Sequence, residues 1–141
     1  MTYYEIINNL KACALEEPNI NFVGSKDIYE LNSLPTIEYN VFYITPNTFS
    51  VDEDTITYSL NLYFVSRWDE TDNNQLEEQS AGMLALQNII NRFNNLYPEV
   101  EIAYPLIYTP FYQKFKDITC GVFVRADFQV DNTLGLCQDS M

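Results

Sequence analysis

From Thr55 to Phe64 the chain alternates between apolar and polar residues. Ile56, Tyr58, Leu60, Leu62 and Phe64 fall on one side of an extended chain, and Thr55, Thr57, Ser59 and Asn61 on the other. A period of two predicts a strand with one buried face. Past the acidic turn Arg67-Trp68-Asp69-Glu70-Thr71-Asp72-Asn73-Asn74 the period changes. Leu76, Met83, Leu86, Ile90, Phe93 and Tyr97 follow one another at seven, three, four, three and four residues, which draws one stripe along a helix. Asp72 with Gln75 three residues on, and Glu77 and Glu78 in the first turn, suit its start. Pro98 closes it.

The same reading extends to the remaining segments. Thr2 to Glu16 predicts a first helix, with Ile6, Ile7, Leu10, Cys13 and Ala14 on one side, a Thr2/Glu5 capping box, and Pro18 as its stop. Asn19 to Gly24 reads as a short strand. Thr36 to Ile44 reads as a strand with large apolar groups on both faces: Ile37, Tyr39, Val41 and Tyr43 on one, Phe42 and Ile44 on the other. Such a strand lies centrally under helices or is covered by another subunit. It pairs with the Thr55 strand in a long antiparallel hairpin whose tip is the loop Thr45 to Glu53. Val100 to Tyr108 is a strand interrupted at Pro105, so an edge or bulged strand, and Phe111 to Lys116 an aromatic connection. Ile118 to Val130 is the last strand, with Cys120, Val122, Val124, Ala126, Phe128 and Val130 inward. Asp131 to Met141 is a polar tail. The expected fold is α+β: one domain over residues 1–141, with a mostly antiparallel sheet, a long β-hairpin and two helices packed on one face.

Composition agrees with this picture and narrows the function. At 141 residues with 47% hydrophobic content the chain is long enough for one core. Eleven tyrosines and nine phenylalanines against four glycines suit long strands joined by few tight turns. The net charge of −13 leaves no basic cluster to neutralise phosphates, so neither nucleic-acid binding nor attraction to an anionic membrane is expected. No apolar run approaches the roughly 18 residues that cross a bilayer. The N-terminus lacks the basic and apolar regions of a signal peptide. Three cysteines without a CxxC pair suit reduced thiols. A protein made in a cytoplasm is the expectation.

Candidate chemistry is sparse. The absence of histidine removes the commonest general base and transition-metal ligand. Asp52-Glu53-Asp54 lacks the glycine and later glutamate of a calcium loop, and Asp69 to Asp72 is better read as helix capping. No acid is placed alone in an apolar setting opposite a second one, as glycoside hydrolysis needs. Cys13 and Cys120 sit on apolar faces and read as buried thiols; Cys137 lies in the tail with nothing nearby to lower its pKa. Gly24, Gly82, Gly121 and Gly135 are isolated, so no phosphate-binding loop forms. No catalytic, cofactor or metal residue is expected. Arg67 and Trp68 have two readings, an interface anchor or a cap on the core where strand turns into helix.

One resemblance covers most of the chain. "NINFVG", a strand ending in "YITP", "ITYSLNLYFVSRWDETDNN", a helix with "EEQSAGMLALQNIINRF", then "DITCGVFVRADFQV" and a late "LC" resemble small phage neck and tail-completion proteins, in particular tail-terminator-like proteins of phages infecting Bacteroides-type hosts. The family's D-x-x-x-G before the last strand is matched by Asp117 to Gly121, and its following cysteine by Cys137. The turn reads Arg-Trp-Asp where the family has Asp-Arg or a close variant. The resemblance implies a virion structural protein without enzymatic activity. Such a protein forms a homo-oligomeric ring between neighbouring neck, portal or tail proteins.

A ring subunit needs two unlike surfaces that meet head to tail. The candidate contacts are Tyr39, Val41, Tyr43, Thr45, Asn47, Phe49 and Val51 along the two-sided strand and hairpin tip, Arg67 and Trp68 at the turn, and Leu134 and Leu136 in the tail. An acidic lumen suits DNA that must slide through. Two other readings stand behind the ring: an adaptor domain with one apolar groove for a partner, and, last, a carboxylate-based enzyme.

Overall fold

A computed structural model of the chain describes residues 1–25, 39–67, 74–112 and 119–132. In chain order the elements are α1 (Tyr3–Leu15), β1 (Phe22–Gly24), β2 (Val41–Val51), β3 (Thr55–Arg67), α2 (Gln75–Leu96), β4 (Glu101–Ile102), β5 (Tyr108–Tyr112) and β6 (Thr119–Asp131). The fold is α+β, with a mixed, mostly antiparallel six-stranded sheet ordered β1-β2-β3-β6-β4, and β5 also paired to β6. Among the described strands, only β1 runs parallel to its neighbour, β2. The centre is β3, paired along its whole length with β6 from Thr55↔Asp131 to Arg67↔Thr119.

Both helices lie on one face. α1 starts at the expected capping box: the Glu5 N–H donates to Thr2 Oγ1, and the Thr2 N–H donates to Glu5 Oε1, each at 3.2 Å. Its apolar side, Ile6, Ile7, Leu10, Cys13 and Ala14, joins one core with Phe42, Ile44, Leu60, Leu62, Phe64 and the even-numbered residues Val122 to Val130. Arg92 of α2 fastens the two helices. Its Nη1 donates to the Cys13 carbonyl at 2.8 Å, at the negative end of α1, while Glu16 and Glu17 pair with its Nε and Nη2 at 3.0 and 3.1 Å.

α2 buries Gly82, Ala85, Leu86, Ile89, Ile90 and Phe93. The expected stripe is therefore correct from Leu86 to Phe93 and wrong before it: Leu76 is 77% and Met83 41% exposed. Gly82 gives the reason. A Cβ on it would stand 2.5 Å from the Phe64 ring and 2.9 Å from Val122, so the helix meets the sheet through its small residues and turns the larger ones aside. The helix also begins at Gln75 behind Asn74, whose side chain makes no cap bond; the expected cap Asp72 lies outside the described residues.

The hairpin differs from expectation too. β2 does not give way to a loop at Thr45 but continues to Val51, and the turn is only Asp52 to Asp54. It is tied down by β6's end, because Asn132 donates its N–H to the Asp54 carbonyl (2.9 Å) and its Nδ2 to the Asp52 carbonyl (2.8 Å). The register shifts between Pro46 and Thr48, which leaves Asn47 as the extra residue of a β-bulge. Phe111 likewise belongs to a strand, β5, and not to a connection. Pro105 interrupts the edge as anticipated: β4 and β5 both pair with β6, and the chain between them arches outward.

Candidate functional site

The bulge decides where the expected contact residues stand. Side chains alternate between faces of a strand, and one extra residue reverses the alternation for everything beyond it. Tyr39, Val41, Tyr43 and Thr45 therefore share the face away from the helices, whereas Phe49 and Val51 emerge on the helix side. There the Phe49 ring lies 4.7 Å from that of Tyr3 on α1 and 5.2 Å from that of Tyr58. Asn47 occupies the bulge itself, and Arg67 is exposed at the end of β3. The odd-numbered series Tyr39 to Val51 is two groups, not one. Trp68, Leu134 and Leu136 lie outside the described residues.

On the outer face Val41, Tyr43, Val65 and Phe111 form a second buried cluster, with Phe22, Tyr39, Tyr63 and Phe123 half-buried around it. The rings of Tyr63 and Phe123 stack at 5.2 Å. Gly121 lets β6 lie close against β3 and the Phe111 ring, since a Cβ there would overlap the Phe64 carbonyl oxygen and stand 3.1 Å from Phe111. Val41 and Tyr43 are covered within the chain (0% and 3% exposed), so they support the aromatic rim and do not themselves offer surface. Toward the hairpin turn the same face becomes polar. Ser59 Oγ donates to Asp127 Oδ1, and Arg125 reaches both, with Nη2 3.5 Å from Ser59 Oγ and Nε 3.7 Å from the Asp127 carboxylate.

A surface not anticipated from the sequence lies on the other side. Leu76, Met83, Gln87 and Ile90 follow at seven, four and three residues along one flank of α2. The flank runs into a hollow of about 410 Å³ between the helix and the arch, bounded by Gln87, Ile90, Asn91, Tyr104, Leu106 and Tyr108. Tyr104 and Ile107 project from the arch, 61% and 72% exposed. Burial, and then the neighbouring Tyr104, raise the Tyr108 hydroxyl's pKa, so it stays protonated. The one sequence signal for this surface was Pro105, which marks an interrupted edge but not what the interruption exposes.

Nucleophilic chemistry finds no support in the described cysteines. Burial pushes the Cys120 thiol up to about 11, with Glu78 adding to the shift. Burial also raises Cys13, partly offset by Arg92 and reinforced by Glu16. Both stay protonated at neutral pH. Among the described residues no group of three or more cysteine or acidic side chains is placed to hold a metal ion, and no helix is long and apolar enough to cross a membrane. The chain matches no family model and no curated protein.

Proposed function

We propose that this chain is a non-enzymatic virion structural protein forming a ring in the phage neck or at the upper end of the tail, as a head–tail connector or tail terminator. The observation that supports the reading is a pair of unlike apolar surfaces on opposite sides of the sheet. One is the aromatic rim of Tyr39, Tyr63 and Phe123 on the outer face; the other is the α2 flank with the Tyr104 arch. Surfaces of this kind meet head to tail and close into a ring when the rotation per subunit allows. Neighbouring neck, portal or tail proteins would dock above and below. The charge of −13 favours a lumen that repels DNA and lets it slide. No cofactor, membrane or sequence-specific nucleic-acid contact enters the reading.

The hollow beside Tyr104 favours a second reading, an adaptor domain that takes one apolar side chain of a partner. Native mass spectrometry with negative-stain imaging separates the two. A closed ring is expected; a monomer or dimer at every concentration would remove the ring. The isolated protein is also expected to show no salt-sensitive complex with duplex DNA by fluorescence anisotropy.

A further inference from the structure

The two edges of the sheet differ in what they offer another strand. Backbone groups of alternate residues face alternate neighbours in an antiparallel ladder. The Asp52 N–H donates to the Thr55 carbonyl at 2.7 Å, so that pair faces inward. In the register Ser50↔Thr57, Phe49↔Tyr58 and Val51↔Ile56, Phe49 and Val51 then turn their N–H and C=O groups toward the free edge. On the opposite edge the Ala103 N–H donates to the Asp127 carbonyl at 3.1 Å. By the same count from Asp127, residue 110 of β5 faces outward, and it is a proline with no N–H to give. The β5 edge is interrupted at its middle residue. The β2 edge is open, and beyond Tyr43 no strand lies beside it among the described residues.

Several features make the β2 edge unusual. All six residues from Pro46 to Val51 are exposed, and none of them is charged. No lysine or arginine occurs between Val41 and Ser66, and the edge's guards, Pro46 and the bulge at Asn47, stop short of Thr48 to Val51. Phe49 and Val51, 50% and 69% exposed, stand two positions apart on one face.

We propose that this edge pairs with the same edge of a second copy of the chain, antiparallel about a two-fold axis at Ser50. In that register Phe49 lies opposite Val51 of the second copy, and Val51 opposite its Phe49. Each exposed apolar side chain thereby gains an apolar partner, and the outward N–H and C=O groups of both residues are satisfied. A slip that centres the axis on Val51 puts Phe49 against Glu53, and one that centres it on Phe49 puts Val51 against Asn47. The Ser50 register also sets the acids of each turn, Asp52, Glu53 and Asp54, against the neutral Thr48, Asn47 and Pro46. In a chain of net charge −13 this avoids acid against acid. The pairing is isologous and independent of the ring: with a ring it stacks two rings face to face, and without one it gives a dimer.

The test is a cross-link at the axis in the full-length chain carrying Cys137→Ser, since Cys13 and Cys120 are buried. Ser50→Cys places two thiols across a non-hydrogen-bonded pair, within disulfide reach. Mild oxidation is expected to give a covalent dimer. Thr57→Cys, on the same face but one strand inward, is separated from its copy by three strand spacings, roughly 14 Å, and is expected to stay monomeric under denaturing electrophoresis. Adding Val51→Lys, at a position that bears no core contact, is expected to weaken association at least about tenfold and abolish the Ser50→Cys product. A Ser50→Cys chain that does not cross-link, or one that still does with Val51→Lys, overturns the pairing. Either outcome leaves the ring, read by native mass, untouched.

Discussion

The two faces of the β2-β3-β6 sheet carry the same backbone and opposite tasks. On the helix face every position from Phe64 back to Leu60 on β3, and from Val122 to Phe128 on β6, is an apolar side chain closed over by α1 or α2. On the outer face the apolar residues stop at Tyr63 and Phe123, and one step further lie Asn61, Ser59, Arg125 and Asp127. The first face cannot accept an unpaired polar group without losing the fold. The second changes character halfway along and is free to serve contacts. The surface left open for contacts is therefore the outer face, the sheet's margins and the exposed flank of α2 beside Tyr104.

Placing a charge on the helix face is the most severe way to test that contrast. Leu62 is fully buried between Ile44 and Val124. Leu62→Asp introduces a carboxylate with no partner, at a cost of at least about 4 kcal/mol, which approaches the whole stability of many domains. The expected result is loss of the cooperative thermal transition or a very large fall in Tm by circular dichroism. A variant that melts within a few degrees of the parent would mean that Leu62 is not in the core.

Gly82→Ala asks how tightly the helix lies on that face. Alanine raises helix propensity by about 1 kcal/mol, but its Cβ would overlap the Phe64 ring, and relieving that overlap costs about 1–3 kcal/mol. Net destabilisation of up to about 2 kcal/mol is expected from urea denaturation. Net stabilisation would show that α2 stands further from the sheet.

Gly82 also marks a limit of what the sequence could tell. The stripe Leu86, Ile90 and Phe93 was legible because large apolar residues recur at helical spacing. The contact made through Gly82 and Ala85 was not, since small residues carry no hydrophobic signal although they set the distance of approach. For the same reason Leu76 and Met83 were assigned to the core. The strands β3 and β6 were legible because strict alternation leaves one reading of which side is buried. β2 was half legible: its two apolar faces were evident, but nothing in Thr45-Pro46-Asn47-Thr48 announces a single-residue bulge. That one residue splits Tyr39 to Val51 between two faces, and the strand continues past it to Val51 where a loop is expected. The proposed contact surfaces follow from these hidden steps, so the fold was more readable than the candidate site.

On the outer face a smaller response is expected. Ser59 is 4% exposed, and its hydroxyl donates to Asp127, a residue that Arg125 also flanks. Ser59→Ala removes a bond to a charged acceptor but leaves that carboxylate partly solvated and beside the guanidinium. The expected loss is about 1 kcal/mol, read from the urea midpoint at unchanged slope. A loss as large as that of Leu62→Asp would place Ser59 and Asp127 in a closed core, against the polar margin described above.

The smallest effect is expected one step nearer the turn. Thr57 sits on β3 between Ser50 and Gln129, half-buried, with its side chain on the outer face. Thr57→Asp gives up the β-branched shape that suits a strand and adds a negative charge within diagonal reach of Asp127 and Asp131, yet the new carboxylate keeps contact with water. These terms together amount to about 0.5–1 kcal/mol. Leu62 and Thr57 belong to the same strand, so the same substitution at the two positions holds chemistry and element constant and varies only the face. Paired thermal melts should separate them by several-fold in free energy. Equal destabilisation would mean that the outer face is closed over near Thr57 as firmly as the helix face is at Leu62, and the distinction between a face that folds the protein and a face left for contacts would not hold there.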